Sequence, residues 1–523
     1  MRPPSLIAIR RVLQASAATA RSFSSSSSST PDAVAAVADA HGIERPGAAP
    51  FFAATRGLGL ASTAASSAVA ARVPLSLCLS TDAALVSTGA CGPPPAECLL
   101  TPQLRRLLPE AGCCPSVDDA EAAWELRLGA LQLLMVGGGR PSPLPPLPPH
   151  HARCREFWSA WRASGALPPR PASLLCWSEA ELALLGDDFL AAAARGWRRE
   201  ARGVFDAHGV AALLVEGLEE ERAFEEYLWA VSAVASRAFA IEQEEEEEEG
   251  EAAAAGVVLG RAAVPFIDLA NHGGGKGGEG VGGAAANCRV RLSPSGFVEL
   301  VRSGDGNGSG GSEERQQQQQ PEEQELLISY GVDKPSRSLM ERYGFCPEGG
   351  CGSDRVDWRE VAGLSAAAAP PLTRDELRRA VLMAGRVGGA APSAPPPLAR
   401  AALAAAEARV LAAGSPLQFS AQHLARANKS VARLFGWRNA EEFRLAQRGS
   451  GDHAAAAAIG RALASAAEAA RRRAEERAAL VLAAGRNDVD AVRAELAAGY
   501  RGERGKMLMA VQALGEALAA GEA

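Results

Sequence analysis

No stretch of this 523-residue chain is an uninterrupted apolar run approaching the roughly 20 residues that cross a bilayer. The best candidate, around Val69 to Leu79, is short and carries Arg72. The sequence therefore reads as that of a soluble protein with no membrane partner. Cysteine is sparse. Ten in all are too few for a disulfide framework. Cys113 and Cys114 are adjacent, and Cys346 and Cys351 enclose Pro-Glu-Gly-Gly, but no second pair or histidine follows at zinc-site spacing. Reduced thiols and no metal are the expectation. A basic excess is missing too. The formal net charge is -7, a poor match to nucleic acid, whose binding rests on neutralising phosphates.

Acid is absent from the first 31 residues, where Arg2, Arg10, Arg11 and Arg21 stand among many serines. Ile7, Ile9, Val12 and Leu13 supply one apolar side of an amphipathic helix. This is transit-peptide composition over residues 1–30, pointing to plastid or mitochondrion. If the segment is only a disordered basic tail, cytoplasm or nucleus is expected instead.

What is present calls for two or three domains, since one core does not grow to this length. Phe51 to Leu79 reads as strands with turns. It includes a glycine turn at Arg56-Gly57-Leu58-Gly59-Leu60 and a short strand near a sheet edge at Arg72-Val73-Pro74. Residues 100–220 read as a helical insertion. Within it Trp124, Leu128, Leu131 and Met135 fall on one helix face, and Trp177-Ser178-Glu179-Ala180-Glu181 carries a capping box. An amphipathic helix is expected from Glu219 to Phe239. Residues 242–256, with seven glutamates between Glu242 and Glu249, and residues 303–321, with Gln316 to Gln320, read as low-complexity surface loops. Beyond Pro371 alanine, arginine and leucine dominate, and an all-α region over 370–523 is expected, with a capping box at Thr373.

Two segments carry chemistry. Val264-Pro265-Phe266-Ile267-Asp268-Leu269-Ala270-Asn271-His272 reads as a buried strand with a turn at Asn271-His272. Asp268 stands out, because a carboxylate next to Phe266-Ile267 needs a partner if it is buried. The second segment is the strand Leu326 to Tyr330, then Gly331, a short helix from Arg337 to Arg342, and Tyr343-Gly344-Phe345. Tyrosines at strand ends most often pack with a hydrogen-bonded hydroxyl. Placed in one pocket, two phenols can aim the lone pair of an amine. Arg237, just after an apolar stripe, can hold a carboxylate bidentately.

In this order these motifs resemble SET-domain protein methyltransferases, in the branch typified by Rubisco large-subunit methyltransferase. The resemblance runs from about residue 45 to the end and takes in Trp229-Ala230-Val231, Ser236-Arg237-Ala238-Phe239, and Tyr500-Arg501 before Gly505-Lys506. It implies an α+β chain. A β-rich SET fold over 45–365 with its helical insertion would be followed by an all-α C-terminal domain that docks a protein substrate. It implies S-adenosyl-L-methionine as cofactor and lysine in a non-histone protein as acceptor. Arg56 and Leu58 would meet the cofactor through backbone atoms, as would Asn271 and His272. Arg237 would hold the cofactor carboxylate and border the target channel, and Asp268 and Tyr330 would line the target pocket. Tyr343 would orient the accepting nitrogen. A knot-like crossing of chain would bring Asn271-His272 and the Tyr343 segment together. The chain departs from the family at Ser336, where asparagine is common, and in the alanine-rich stretch Ala61 to Ala71. Histidine as acceptor, a SET-fold binding protein without catalysis, and a scaffold using only its helical C-terminal region remain as alternatives.

Overall fold

The computed structural model of the chain describes residues 29–53, 57–63, 68–99, 101–108, 124–137, 147–214, 218–243, 257–273, 286–303, 324–330, 334–347, 351, 354–357, 418–420, 453–484 and 489–520. The transit-like segment to residue 28, Arg56, residues 244–256 and 304–321 of the two inserts, and the capping box at Thr373 lie outside these residues. In chain order the helices are α1 (Ser29–Ala40), α2 (Ala83–Thr88), α3 (Pro102–Leu107), α4 (Trp124–Val136), α5 (Pro149–Ala163), α6 (Glu179–Leu184), α7 (Asp188–His208), α8 (Glu220–Arg237), α9 (Ser336–Tyr343), α10 (His453–Ala483) and α11 (Ala491–Ala520). The strands are β1 (Ala48–Ala53), β2 (Gly57–Ser62), β3 (Val69–Pro74), β4 (Leu79–Ser80), β5 (Ala238–Gln243), β6 (Val257–Ala263), β7 (Asn271–His272), β8 (Cys288–Leu292), β9 (Phe297–Arg302), β10 (Leu327–Ile328), β11 (Arg355–Asp357) and β12 (Gln418–Ser420). The chain is a mixture of helix and sheet, and it divides into two compact units. The first comprises residues 1–176, 197–277 and 283–332; the second comprises 177–196, 278–282 and 333–523.

The first unit is built on a sheet of order β3-β9-β8-β5-β6-β4, with β10 joined to β8 and β7 joined to β10. β3 takes the edge, as Pro74 requires of a residue with no N–H to give. Glu299 on β9 is buried between two arginines of its flanking strands, Arg72 at 2.9 Å and Arg291 at 3.0 Å. Both its oxygens therefore have charged partners, which is the condition for tolerating a buried carboxylate. β1 and β2 form a separate antiparallel hairpin with Phe51 opposite Gly59 and Phe52 opposite Leu58. The glycines expected in a turn thus stand in strand β2.

Helices α4, α5 and α8 pack within the same unit. The one-face reading of α4 understates it. Every residue from Glu125 to Val136 is buried, including Arg127 and Gln132. Helix α8 crosses so close that a Cβ on Gly129 would stand 2.6 Å from Val231 Cγ2 and 2.8 Å from its Cα. Only glycine permits that approach. Tyr227 of α8 donates to the Leu126 carbonyl at 3.0 Å and so satisfies its buried hydroxyl. The helix ends at Arg237 rather than running to Phe239, because Ala238 and Phe239 begin β5 and pair with Ala263 and Ala262. Glu242 and Gln243, expected in a loop, finish that same strand opposite Val258 and Val257.

In the second unit the capping box at Ser178 forms as expected. Ser178 Oγ accepts from the Glu181 N–H at 3.2 Å, and Glu181 Oε2 accepts from the Ser178 N–H at 2.7 Å. The same carboxylate is held by Arg493 at 2.8 Å, which ties α6 to the start of α11. The long helices α10 and α11 agree with the helical reading of the C-terminal region. One short antiparallel pair, β11 with β12, interrupts it.

Candidate active site

The segment Val264 to His272 is shaped by its proline. Pro265 offers a carbonyl and no N–H, and the Ile267 N–H bonds that carbonyl at 2.9 Å. Phe266, between them, is the one non-glycine residue with positive φ among the described residues, at φ 69° and ψ -53°. This is a γ-turn of the strained kind. Such a conformation costs on the order of 1–3 kcal/mol, and burying a phenylalanine ring contributes about as much in the other direction. Phe266 is completely buried, so its ring anchors the turn. A single 3₁₀ turn, Ile267–Leu269, comes next, with the Leu269 N–H on the Phe266 carbonyl at 3.1 Å.

That turn aims Asp268 into the interior. Arg237, the last residue of α8, donates from Nη1 to Asp268 Oδ2 at 3.2 Å and to the Asp268 carbonyl at 3.2 Å. The other carboxylate oxygen, Oδ1, is buried and makes no hydrogen bond. Burial pushes the Asp268 carboxyl up to about 6, against the downward pull of Arg237. The carboxylate within reach of Arg237 is thus the chain's own.

Asn271 and His272 do not form a turn. They make β7, which runs parallel to β10 with Asn271 opposite Leu327 and His272 opposite Ile328. Residues 324–326, just before β10, are held by β2, through Ser62 N–H to the Gln324 carbonyl at 2.8 Å and Leu326 N–H to the Leu60 carbonyl at 2.8 Å. Asn287 clamps the same stretch, accepting from the Leu327 N–H at 2.8 Å and donating to the Glu325 carbonyl at 2.9 Å. The strand ending at Tyr330 is accordingly short, Leu327–Ile328 alone, because its neighbours change along its length.

Tyr330 closes the cluster. Its hydroxyl donates to the Ala270 carbonyl at 3.0 Å and its backbone N–H donates to His272 Nδ1 at 3.1 Å. An accepting Nδ1 places the imidazole proton on Nε2 in the neutral ring. The two rings lie 5.1 Å apart. Asn271 donates from Nδ2 to Glu325 Oε1 at 2.7 Å. A Cβ at Gly59 would stand 2.9 Å from that same Nδ2, so glycine lets β2 pass against Asn271. Leu58 sits beside it, half-buried.

Five of the residues singled out in the sequence, Arg237, Asp268, Asn271, His272 and Tyr330, therefore gather in the first unit, with Leu58 on the adjoining strand. Arg56 lies outside the described residues. Tyr343 belongs to the second unit. It ends α9, and Lys334 Nζ donates to its hydroxyl at 2.7 Å. The departure at Ser336 has a local explanation. Its N–H and its hydroxyl both donate to Asp354, the latter at 2.6 Å, so serine and aspartate together cap α9. Sequence reasoning passed over Glu325, Asn287 and Lys334. The first two lie in no recognisable pattern. Lys334 did carry a signal, because the chain has only four lysines, Lys276, Lys334, Lys429 and Lys506, among 54 basic residues.

Among the described residues no cluster of three or more metal-ligating side chains is found, and no helix is long and apolar enough to cross a membrane. No protein-family model matches the chain. No curated protein matches it. Among solved structures, the chain is similar to that of the SET domain of LSMT bound to lysine and AdoHcy. The TM-score is 0.44 and the identity 16%, over 94% of this chain and 92% of that one. So loose a likeness says nothing about individual site residues, and the functional reading rests on the side chains of this chain.

Proposed function

We propose that the chain is an S-adenosylmethionine-dependent protein methyltransferase of the SET type, acting on a lysine side chain of a non-histone protein. The observation that supports this reading is the meeting of Arg237, Asp268, Asn271-His272 and Tyr330, residues up to 93 positions apart, in one cluster. Their sequence motifs select them as a cofactor and target site without reference to that meeting.

The residues fit the cofactor chemically. Arg237 has five N–H donors, and its bonds to Asp268 all come from Nη1. Its side chain is about a fifth exposed, so further donors are available to a ligand carboxylate. The segment Asp268 to His272 contributes a buried carboxylate whose Oδ1 makes no hydrogen bond. A buried carboxylate of this kind favours a nearby cation such as a sulfonium. When bound, that cofactor supplies an electrophilic methyl group. The chain's own residues do the remainder. Tyr330, whose proton is given to the Ala270 carbonyl, has its phenol oxygen fixed in place and is assigned to line the target pocket. Tyr343 is assigned the orienting phenol. Amine lone pairs are aimed in this way by fixed dipoles, with no reorganisation at the moment of reaction. The C-terminal helical region is assigned to docking the protein substrate, and residues 1–30 to organelle import.

The test uses the full chain, incubated with organelle extract and methyl-labelled S-adenosylmethionine, with mass spectrometry of the labelled protein as the readout. Label on lysine is the expected outcome; label on histidine would move the acceptor. Tyr343→Phe is expected to lower turnover by about 10²-fold or more, while calorimetric affinity for the cofactor stays within about twofold. Absence of calorimetric binding by the unmodified chain would remove the transferase reading.

A further inference from the structure

Lys334 is a described residue whose chemistry the site does not yet use. In a chain that supplies nearly all its positive charge as arginine, a lysine stands with its ammonium 2.7 Å from the Tyr343 hydroxyl and 5.0 Å from the centre of that ring. The pair closes over a rigid element. Helix α9 has eight residues, about 12 Å of length. Pro335 precedes it, which confines Lys334 to extended backbone. The helix start is held by Ser336 on Asp354. Its first turn is held by Arg337 on the buried Asp187 at 2.8 Å. Gly344, with φ 72°, ends the helix directly after Tyr343. Both partners of the bond are therefore fixed in the backbone, and the lysine side chain reaches along the helix flank to the phenol.

We infer that Lys334 is a positioning residue for the Tyr343 phenol. This inference rests on the reading of Tyr343 as the orienting phenol. An ammonium has three donors and no acceptor. It donates to one lone pair of the phenol oxygen, so the direction of the Tyr343 hydroxyl is set by the chain. Arginine would do this less well at such a point, since its planar fork is suited to bidentate oxyanions and not to a single oxygen. The Phe345 ring stands 6.2 Å from that of Tyr343, tilted by 59°.

The experiment compares Lys334→Met, Lys334→Arg and Tyr343→Phe in the full chain carrying 3-fluorotyrosine. The chain has four tyrosines, so the Tyr343 fluorine resonance is assigned by its loss in Tyr343→Phe. Lys334→Met is expected to shift that resonance and to lower kcat about tenfold, with KM for the protein substrate and cofactor affinity within about twofold. Lys334→Arg is expected to recover part of both. A Lys334→Met protein with an unmoved Tyr343 resonance and unchanged kcat would overturn the inference. A shifted resonance in a chain that transfers no methyl group to any protein would support the Lys334–Tyr343 coupling and overturn the transferase reading instead.

Discussion

Two buried aspartates, one in each unit, respond to burial in opposite ways. Asp268 in the first unit has one arginine at 3.2 Å and one oxygen without a hydrogen bond, and its carboxyl is raised to about 6. Asp187 in the second unit is equally enclosed. Its carboxylate accepts from Arg337 at 2.8 Å, from the Tyr500 hydroxyl at 2.6 Å and from the Leu190 N–H at 2.9 Å. Burial pushes that carboxyl up too, but the charges of Arg337 and Arg504, with those hydrogen bonds, outweigh it and hold it well below the usual carboxylate range. Desolvation is the same in kind at both places. What differs is first the number of arginine charges beside the carboxylate, two at Asp187 and one at Asp268, and then the hydrogen bonds made to it. A satisfied buried carboxylate is a structural joint, and a half-satisfied one carries a desolvation penalty.

Removing the joint should have the largest effect. Asp187→Ala leaves Arg337 and Tyr500 without their acceptor and is expected to cost about 3–5 kcal/mol, read by urea denaturation. Hydrogen exchange should place the loss in the second unit. A cost near zero would make Asp187 no more than a surface-like pair.

The comparison sharpens with pH, because the two shifts have opposite signs. Asp268 has a folded value raised above the unfolded value of about 3.9. Its ionisation is therefore penalised by folding, and wild-type stability falls as pH rises from about 4 through about 6. Asp268→Asn removes that slope, by at most about 3 kcal/mol between pH 4 and pH 7. Asp187 has a depressed folded value, so its contribution is present above about pH 4 and is lost as pH falls below it. Asp187→Asn should lose stability at neutral pH and approach wild type in acid. Stability-versus-pH curves of the two variants that bend the same way would break the contrast.

The smallest test compares the phenols. Tyr500→Phe removes a bond to a charged acceptor and is expected to cost about 2 kcal/mol, and Tyr330→Phe, which donates to a neutral carbonyl, about 1 kcal/mol. The order matters more than the sizes, and chemical denaturation of both variants decides it. In sequence Tyr500 and Arg501 belong to the region that resembles a substrate-binding domain. In the fold Tyr500 is buried against Asp187, and Arg501 donates to the Leu184 carbonyl.

Features carried by adjacent residues were legible in the chain alone. The capping box at Ser178 involves four residues, and its bonds form as the spacing predicts. The apolar spacing of α8 marks its helix, and Pro74 marks the sheet edge. The boundary of α8 at Arg237 was not legible, because Ala238 and Phe239 suit helix and strand alike and pairing with β6 decides between them. The complete burial of α4 was not legible either, since side chains such as Arg127 and Gln132 are ordinarily exposed.

The candidate site divides along the same line. Sequence alone selected Asp268, Asn271, His272, Tyr330, Tyr343 and Arg237, because those residue types in those motifs are readable one segment at a time. Tertiary structure alone decided that Arg237 meets Asp268, and that Asn271-His272 is a strand beside Leu327-Ile328 and not a turn. It also decided that Lys334 reaches Tyr343. The physical reason is range. Propensity, capping and turn chemistry act within a few residues, whereas the partner of a buried charge is whichever group the packing of distant segments leaves beside it.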